Sequence, residues 1–123
     1  MPRIIVLSTC GSMKEARKIA KDVLRRRLAA CVNITPVCSY FRWKNKVQTQ
    51  REYLLLIKTR SQGFVQLRKR ILALHSYELP EIVILRIAGG HSPYLEWIDR
   101  EVPIRRKIGD VMFAPKVTQS NAT

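Results

Sequence analysis

Apolar positions fall along this chain in two rhythms. From Arg3 to Thr9 (RIIVLST) they run almost without interruption, as in a short strand buried on both faces. After Cys10-Gly11 the spacing turns helical. Ser12 and Glu15 form a capping box, and Met13, Ala16, Ile19, Ala20, Val23, Leu24 and Leu28 line one face to about Ala29. Two segments rich in β-branched and aromatic residues follow, Cys31 to Trp43 and Gln48 to Thr59. They meet at Lys44-Asn45-Lys46, where Asn tolerates the left-handed backbone of a tight turn. Ser61 opens a second helix carrying Phe64, Leu67, Ile71 and Leu74, and Pro80 keeps it from running past His75-Ser76-Tyr77-Glu78. Glu81 to Ala88 reads as a strand ended by Gly89-Gly90. Ser92 as cap and Pro93 at the first helical position open a third helix to about Val102, and Val111-Met112-Phe113 reads as an edge strand.

Strand, helix, strand, strand, helix, strand and an extra helix make an α+β chain, a ferredoxin-like βαββαβ sandwich with both main helices on one sheet face. Each hairpin arm would reach roughly 35 to 40 Å, whereas Ile4 to Ser8 and Ile82 to Ile87 reach roughly 15 to 20 Å. Much of the hairpin therefore lacks a partner within its own chain. The sheet face without helices is expected to be apolar as well, from positions such as Ile5, Leu55 and Val83. Both features predict assembly with further copies.

With 123 residues and 46% apolar content, the chain fits one core. We read residues 1–102 as the domain and 103–123 as a basic and polar tail. No apolar run has the length of a membrane span, and Met1-Pro2-Arg3 leads directly into a four-residue run unlike a secretory signal. Cys10, Cys31 and Cys38 form no CxxC pair. The expectation is a cytoplasmic protein with free thiols and no membrane partner. Lys and Arg outnumber Asp and Glu by 23 to 9, a formal charge of +14, which invites nucleic acid or other anions without base specificity. The charge falls largely on helix faces turned to solvent, such as Lys14, Arg17, Lys18 and Lys21.

Five blocks carry a resemblance: LAACVNI (Leu28 to Ile34), the Trp-containing turn (Trp43 to Lys46), EYLLLIKT (Glu52 to Thr59), HSYELPEI (His75 to Ile82) and YLEWI (Tyr94 to Ile98). Over roughly residues 3 to 102 the chain resembles the CutA divalent-cation tolerance proteins. The resemblance implies a homotrimer of ferredoxin-like subunits with sheets facing inward and hairpins embracing neighbours. It also implies non-enzymatic binding of copper or a similar ion. The family usually has Gly after Trp-x in the turn and Pro after the His, where this chain has Asn45 and Ser76. Asn45 keeps the turn available, and Ser76 is expected to loosen its loop.

The family blocks single out Trp43, Glu52, Lys58, Tyr77, Tyr94 and Trp97 as lining a cleft between subunits, with His75 and Glu78 as metal ligands; Cys10, outside the blocks, joins them as a ligand on its own place in the turn after the first strand. The residues themselves leave other readings open. His75 reads equally as a helix-terminal His donating to the last carbonyls, Trp43, Tyr94 and Trp97 as interface packing, and Glu78 as a partner for a neighbour's Lys or Arg. Cys31 and Cys38 read as small buried hydrophobes. Cys10, in the turn after the first strand, is expected to be the more exposed thiol. No HxxxH, CxxC or carboxylate-rich loop forms a ready zinc site, and nothing resembles a catalytic triad. Two alternatives remain. An RNA-binding sandwich is disfavoured because RIIVLST has no aromatic residue and EYLLLIKT only Tyr53. A sensor of small molecules like the PII proteins would need a long mobile loop and phosphate-binding glycines, neither evident here.

Overall fold

The hairpin turns on two consecutive residues with left-handed backbone, Lys44 (φ 52°) and Asn45 (φ 65°), the geometry that matches the right-handed twist of the strands it joins. In this computed structural model, which describes residues 2–103, the arms are β2 (Cys31–Trp43) and β3 (Lys46–Arg60). The turn is thus one residue tighter than expected, and Lys46 pairs with Trp43. Around the hairpin stand β1 (Arg3–Cys10), α1 (Met13–Arg25), α2 (Phe64–Leu74, entered through a 3-10 turn at Ser61–Gly63), β4 (Val83–Arg86) and α3 (Ser92–Glu101). The sheet order is β2-β3-β1-β4, antiparallel throughout.

β1 follows β3 from Arg3↔Arg60 to Cys10↔Tyr53 and stops. From Val37↔Glu52 to Trp43↔Lys46 the hairpin has no third strand among the described residues, an overhang of roughly 20 Å. Alternation along the paired strands separates two faces. Ile4 and Val6 of β1 and Leu55 and Ile57 of β3 join Ala16, Ile19 and Val23 of α1 and Leu67 and Ile71 of α2 in one buried cluster. Both helices therefore cover the same side. Leu55 lies on this closed side, contrary to expectation, because its register partner Ser8 shares the parity of Ile4 and Val6. Leu54 and Leu56 take the open side with Ile5 and Leu7. There β4 is exposed along its whole length, Val83 at 44% and Leu85 at 47%.

Other boundaries differ from expectation as well. Helix α1 ends at Arg25, because Arg27 adopts a left-handed backbone (φ 58°), and the buried Leu28 and Ala29 belong to the connection rather than to the helix. The second helix tightens into its 3-10 turn at Ser61 before Phe64. β4 shrinks to the four residues that pair with β1, since Pro80 precedes it and the glycines follow. His91, not Ser92, is the N-cap of α3, without a side-chain cap bond, and Pro93 lies in its first turn. The edge strand expected at Val111-Met112-Phe113 lies outside the described residues.

Candidate functional site

β1 runs one residue further than its apolar pattern suggested, and this places the Cys10 side chain among the helices. Cys10 is fully buried, not exposed as expected, and no disulfide engages it. Its Sγ lies 3.8 Å from Nε2 of His75, the residue that caps α2. That nitrogen also lies 2.7 Å from the Thr9 carbonyl, and Nδ1 lies 3.1 Å from the Tyr77 backbone nitrogen. A carbonyl can only accept and an amide N–H can only donate. His75 is therefore the neutral tautomer with its proton on Nε2. It donates to Thr9, a carbonyl across the loop, rather than to the last carbonyls of its own helix.

Glu15 completes the cluster from the first turn of α1. Ser12 Oγ accepts the Glu15 N–H at 3.1 Å, as a capping box requires, but the Glu15 carboxylate turns outward from the cap. Its two oxygens accept from Ser76, one from the hydroxyl at 2.7 Å and one from the backbone N–H at 2.9 Å. Ser76 thus ties its loop down rather than loosening it, and a proline there would have no N–H to offer. One Glu15 oxygen lies 3.3 Å from Nδ1 of His75. Burial pushes the Glu15 carboxyl up, but the hydrogen bonds from Ser76 outweigh it and leave the group below its usual range. Burial, with Glu15 and Glu52 nearby, pushes the Cys10 thiol up to about 12, so it is protonated at neutral pH.

Ligand atoms of Cys10, Glu15 and His75 all lie within 4.8 Å of one another, the one such gathering of three among the described residues. The structure thus brings together two of the three expected ligands, while the carboxylate beside them is Glu15 rather than Glu78. The donor set of thiol, imidazole and carboxylate suits copper or zinc. Taking an ion would require the thiol to lose its proton and the imidazole to give up one of its backbone contacts. The same geometry argues against a Cys–His nucleophile, because Nε2 already carries a proton aimed at Thr9 and has no lone pair for the thiol.

On the other side of the loop Tyr77 enters a cleft of about 680 Å³ under the hairpin overhang, lined among others by Phe41, Trp43, Gln50, Glu52, Glu78 and Glu81. Its hydroxyl donates to Glu52 at 2.8 Å and accepts from the Gln50 amide at 2.7 Å. Burial first, then the Glu52 carboxylate, push the Tyr77 hydroxyl well above its usual range, so it remains a donor. Gly11 makes this approach possible, since a Cβ there would sit 3.1 Å from the Tyr77 oxygen. The rings of His75 and Tyr77 lie 4.8 Å apart, so cluster and cleft share a wall.

Trp43, Glu52, Tyr77 and Glu78 meet at this cleft, whereas Lys58, Tyr94 and Trp97 gather elsewhere. Lys58, opposite Ile5 on the open face, holds its ammonium 5.7 Å above the Tyr94 ring, which in turn lies 5.4 Å from Trp97. Cys31 is half-buried and Cys38 exposed, on opposite faces of β2 and away from the cluster. Sequence reasoning missed Glu15, Ser76, Gln50 and Gly11. The capping signal had already accounted for Glu15, and the others reveal themselves only through contacts across the chain.

A family profile described as CutA1 divalent ion tolerance protein matches residues 4–101. A divalent-cation tolerance protein CutA of Thermus thermophilus is 48% identical over 95 residues, spanning 76% of this chain and 92% of that protein. Its counterpart in Archaeoglobus fulgidus is 43% identical over 94 residues, with the same coverage of 76% and 92%. A solved divalent cation tolerance protein of Thermus thermophilus superposes with a TM-score of 0.80 at 45% identity, covering 82% of this chain and 99% of that one.

Proposed function

This chain belongs to the CutA1 divalent ion tolerance family, and on that premise we propose that it is a homotrimeric protein of ferredoxin-like subunits that serves divalent-metal tolerance by binding copper, not by catalysis. The observation that carries the metal reading is the convergence of Cys10, Glu15 and His75 within 4.8 Å. Because a copper ion would displace the thiol proton, affinity should rise with pH. Support for the trimer comes from the exposed apolar positions of β4 on the open face and the unpaired hairpin overhang, which together leave a surface for neighbouring copies and place the cleft beside them. The free thiols Cys10, Cys31 and Cys38 support a reducing compartment, the cytoplasm.

Calorimetric titration with copper and zinc tests the metal reading. One ion per chain is expected, lost in Cys10→Ser and His75→Ala and kept in Cys31→Ser/Cys38→Ser. Undiminished affinity in the first two variants would move the ion elsewhere. Light scattering should return about three times the 14.3 kDa chain mass, and a monomer mass would remove the trimer.

A further inference from the structure

The outer surfaces of α1 and α2 carry cations that their own chain leaves unanswered. Lys14, Arg17, Lys18, Lys21 and Arg25 of α1 are exposed, as are Arg68 and Lys69 of α2. The two helices hold only two carboxylates, and both are engaged elsewhere, Glu15 accepting from Ser76 and Asp22 holding Arg70 and Arg26. None of the seven exposed cations forms an ion pair among the described residues. Their placement also runs against local rules. Lys14 stands in the first turn of α1, at the positive end of the helix dipole. Lys14 and Lys18, Arg17 and Lys21, and Lys21 and Arg25 are like charges four residues apart, an arrangement that weakens a helix. A counter-charge from outside the chain relieves this repulsion.

The geometry suits an extended partner. Lys14, Lys18, Lys21 and Arg25 follow one another at four, three and four residues, a line about 16 Å long on one side of α1 with charges about 4.5 to 6 Å apart along the axis. At the end of α1, Arg26 and the α2 residues Gln66, Lys69 and Arg70 border a depression of about 350 Å³. Both helices cover the closed side of the sheet, so a neighbour seated on the open face leaves this surface in water.

The side chains decide which polyanion fits. Single-stranded nucleic acid binds through aromatic platforms, and the one aromatic residue of these helices, Phe64, packs against the core. An anionic membrane takes up an amphipathic helix by its apolar face, whereas Ile19, Val23, Leu67 and Ile71 are fully buried and the apolar side chains in water, Leu24, Val65 and Leu72, lack an aromatic anchor. Duplex RNA is held through its 2′-hydroxyls as well as its phosphates, and Gln66 is the one neutral polar side chain exposed on either helix. We infer that the outer face of α1 and α2 binds the phosphate backbone of double-stranded DNA without reading its bases, with Lys14, Lys18, Lys21 and Arg25 against one strand and Lys69 at the depression between the helices. Neither the metal cluster nor the assembly enters this inference.

The whole chain is titrated into a labelled DNA duplex roughly two helical turns long, followed by fluorescence anisotropy with a chelator present. Contacts to about four phosphates should give a slope of about −4 in the logarithm of affinity against that of salt, on the order of a hundredfold between about 50 and 200 mM. Lys14→Ala/Lys18→Ala/Lys21→Ala should bind at least about tenfold more weakly at the lower salt and flatten the slope by about 2 to 3. Alanine is the strongest helix former, so this variant is expected to fold. Arg68→Ala/Lys69→Ala provides a second, independent test on α2 and should weaken binding about three- to tenfold. Lys46→Ala/Arg51→Ala/Arg100→Ala removes the same formal charge from exposed positions outside the two helices, and should change affinity less than about threefold. Absence of binding to the duplex at about 50 mM salt overturns the inference. An equal loss in the variant outside the helices also overturns it, because net charge rather than this face would then hold the DNA. Tighter binding of a duplex RNA of the same length overturns it too, as does binding to vesicles containing phosphatidylserine in place of the duplex, which assigns the face to a membrane.

Discussion

The two faces of the sheet are built from the same apolar runs and end in opposite states. On the side of α1 and α2, Ile4, Val6, Leu55 and Ile57 are out of contact with water, each enclosed by residues of its own chain. On the other side Ile5, Leu7, Leu54 and Leu56 are half-buried, and Val83 and Leu85 at the edge are nearly half exposed. A run such as Leu54-Leu55-Leu56 shows that apolar character alone does not say which residue is core. Parity does, once one face has been claimed by helices. The closed face holds the monomer together, and the open face is suited to hold copies together.

The largest effects should come from treating the two faces alike. Leu55→Ala, on the closed face, is expected to lower the unfolding free energy in denaturant by about 2–5 kcal/mol while leaving the mass in solution unchanged. Leu85→Lys, on the open face, should do the reverse and reduce the mass by light scattering, with a much smaller effect on denaturant stability. If Leu85→Lys left the mass untouched, the contrast between the faces would collapse.

A smaller effect concerns pH. Asp22 joins the helices, holding Arg70 through two bonds of 2.7 and 2.9 Å, and Asp99 holds Arg3 at 2.7 and 3.1 Å. The partner guanidinium in each case brings the carboxyl below its usual value, and Ser76 does the same for Glu15. A carboxyl that holds its proton less tightly when folded contributes stability above the unfolded pKa and loses it as the pH falls through the folded one. Unfolding free energy should therefore decline as pH drops from about 5 towards 2, and less steeply in Asp22→Asn. An identical slope in that variant would show that the helix-to-helix ion pair contributes nothing.

The smallest effect lies at the tip of the overhang. Lys44 bears a left-handed backbone (φ 52°) without the local side-chain hydrogen bond that lets Asn tolerate it. Lys44→Asn should raise stability by about 0.5 kcal/mol, measured as a shift in the denaturant midpoint. A loss of stability would mean that Lys44 is held by something other than its backbone, such as its ammonium near Trp43, 6.0 Å from the ring.

Much of this architecture was legible because its elements obey local rules. β-Branched and aromatic residues on either side of Lys44-Asn45 marked the hairpin, and the spacing of Ala16, Ile19, Ala20 and Val23 marked α1. Where α1 stops was not legible, since Leu28 continues the helical spacing while Arg27 turns the backbone away. The site was legible as chemistry but not as geometry. Cys10 and His75 were recognisable ligands, yet one added residue of β1 reversed the exposure of Cys10, and Glu15 reaches His75 only because α1 and the loop after α2 fold together. The meeting of Glu52 with Tyr77, 25 residues apart in sequence, has no local signal at all.

Gly11 has no side chain, yet it sets the spacing on which its neighbours depend. A single methyl group there would press on Tyr77 at 3.1 Å, and Tyr77 has little room to yield with its amide held by His75 and its hydroxyl by Gln50 and Glu52. The position with the least chemistry therefore tolerates replacement poorly, and a change of one carbon atom at Gly11 would be felt on both sides of the wall at once.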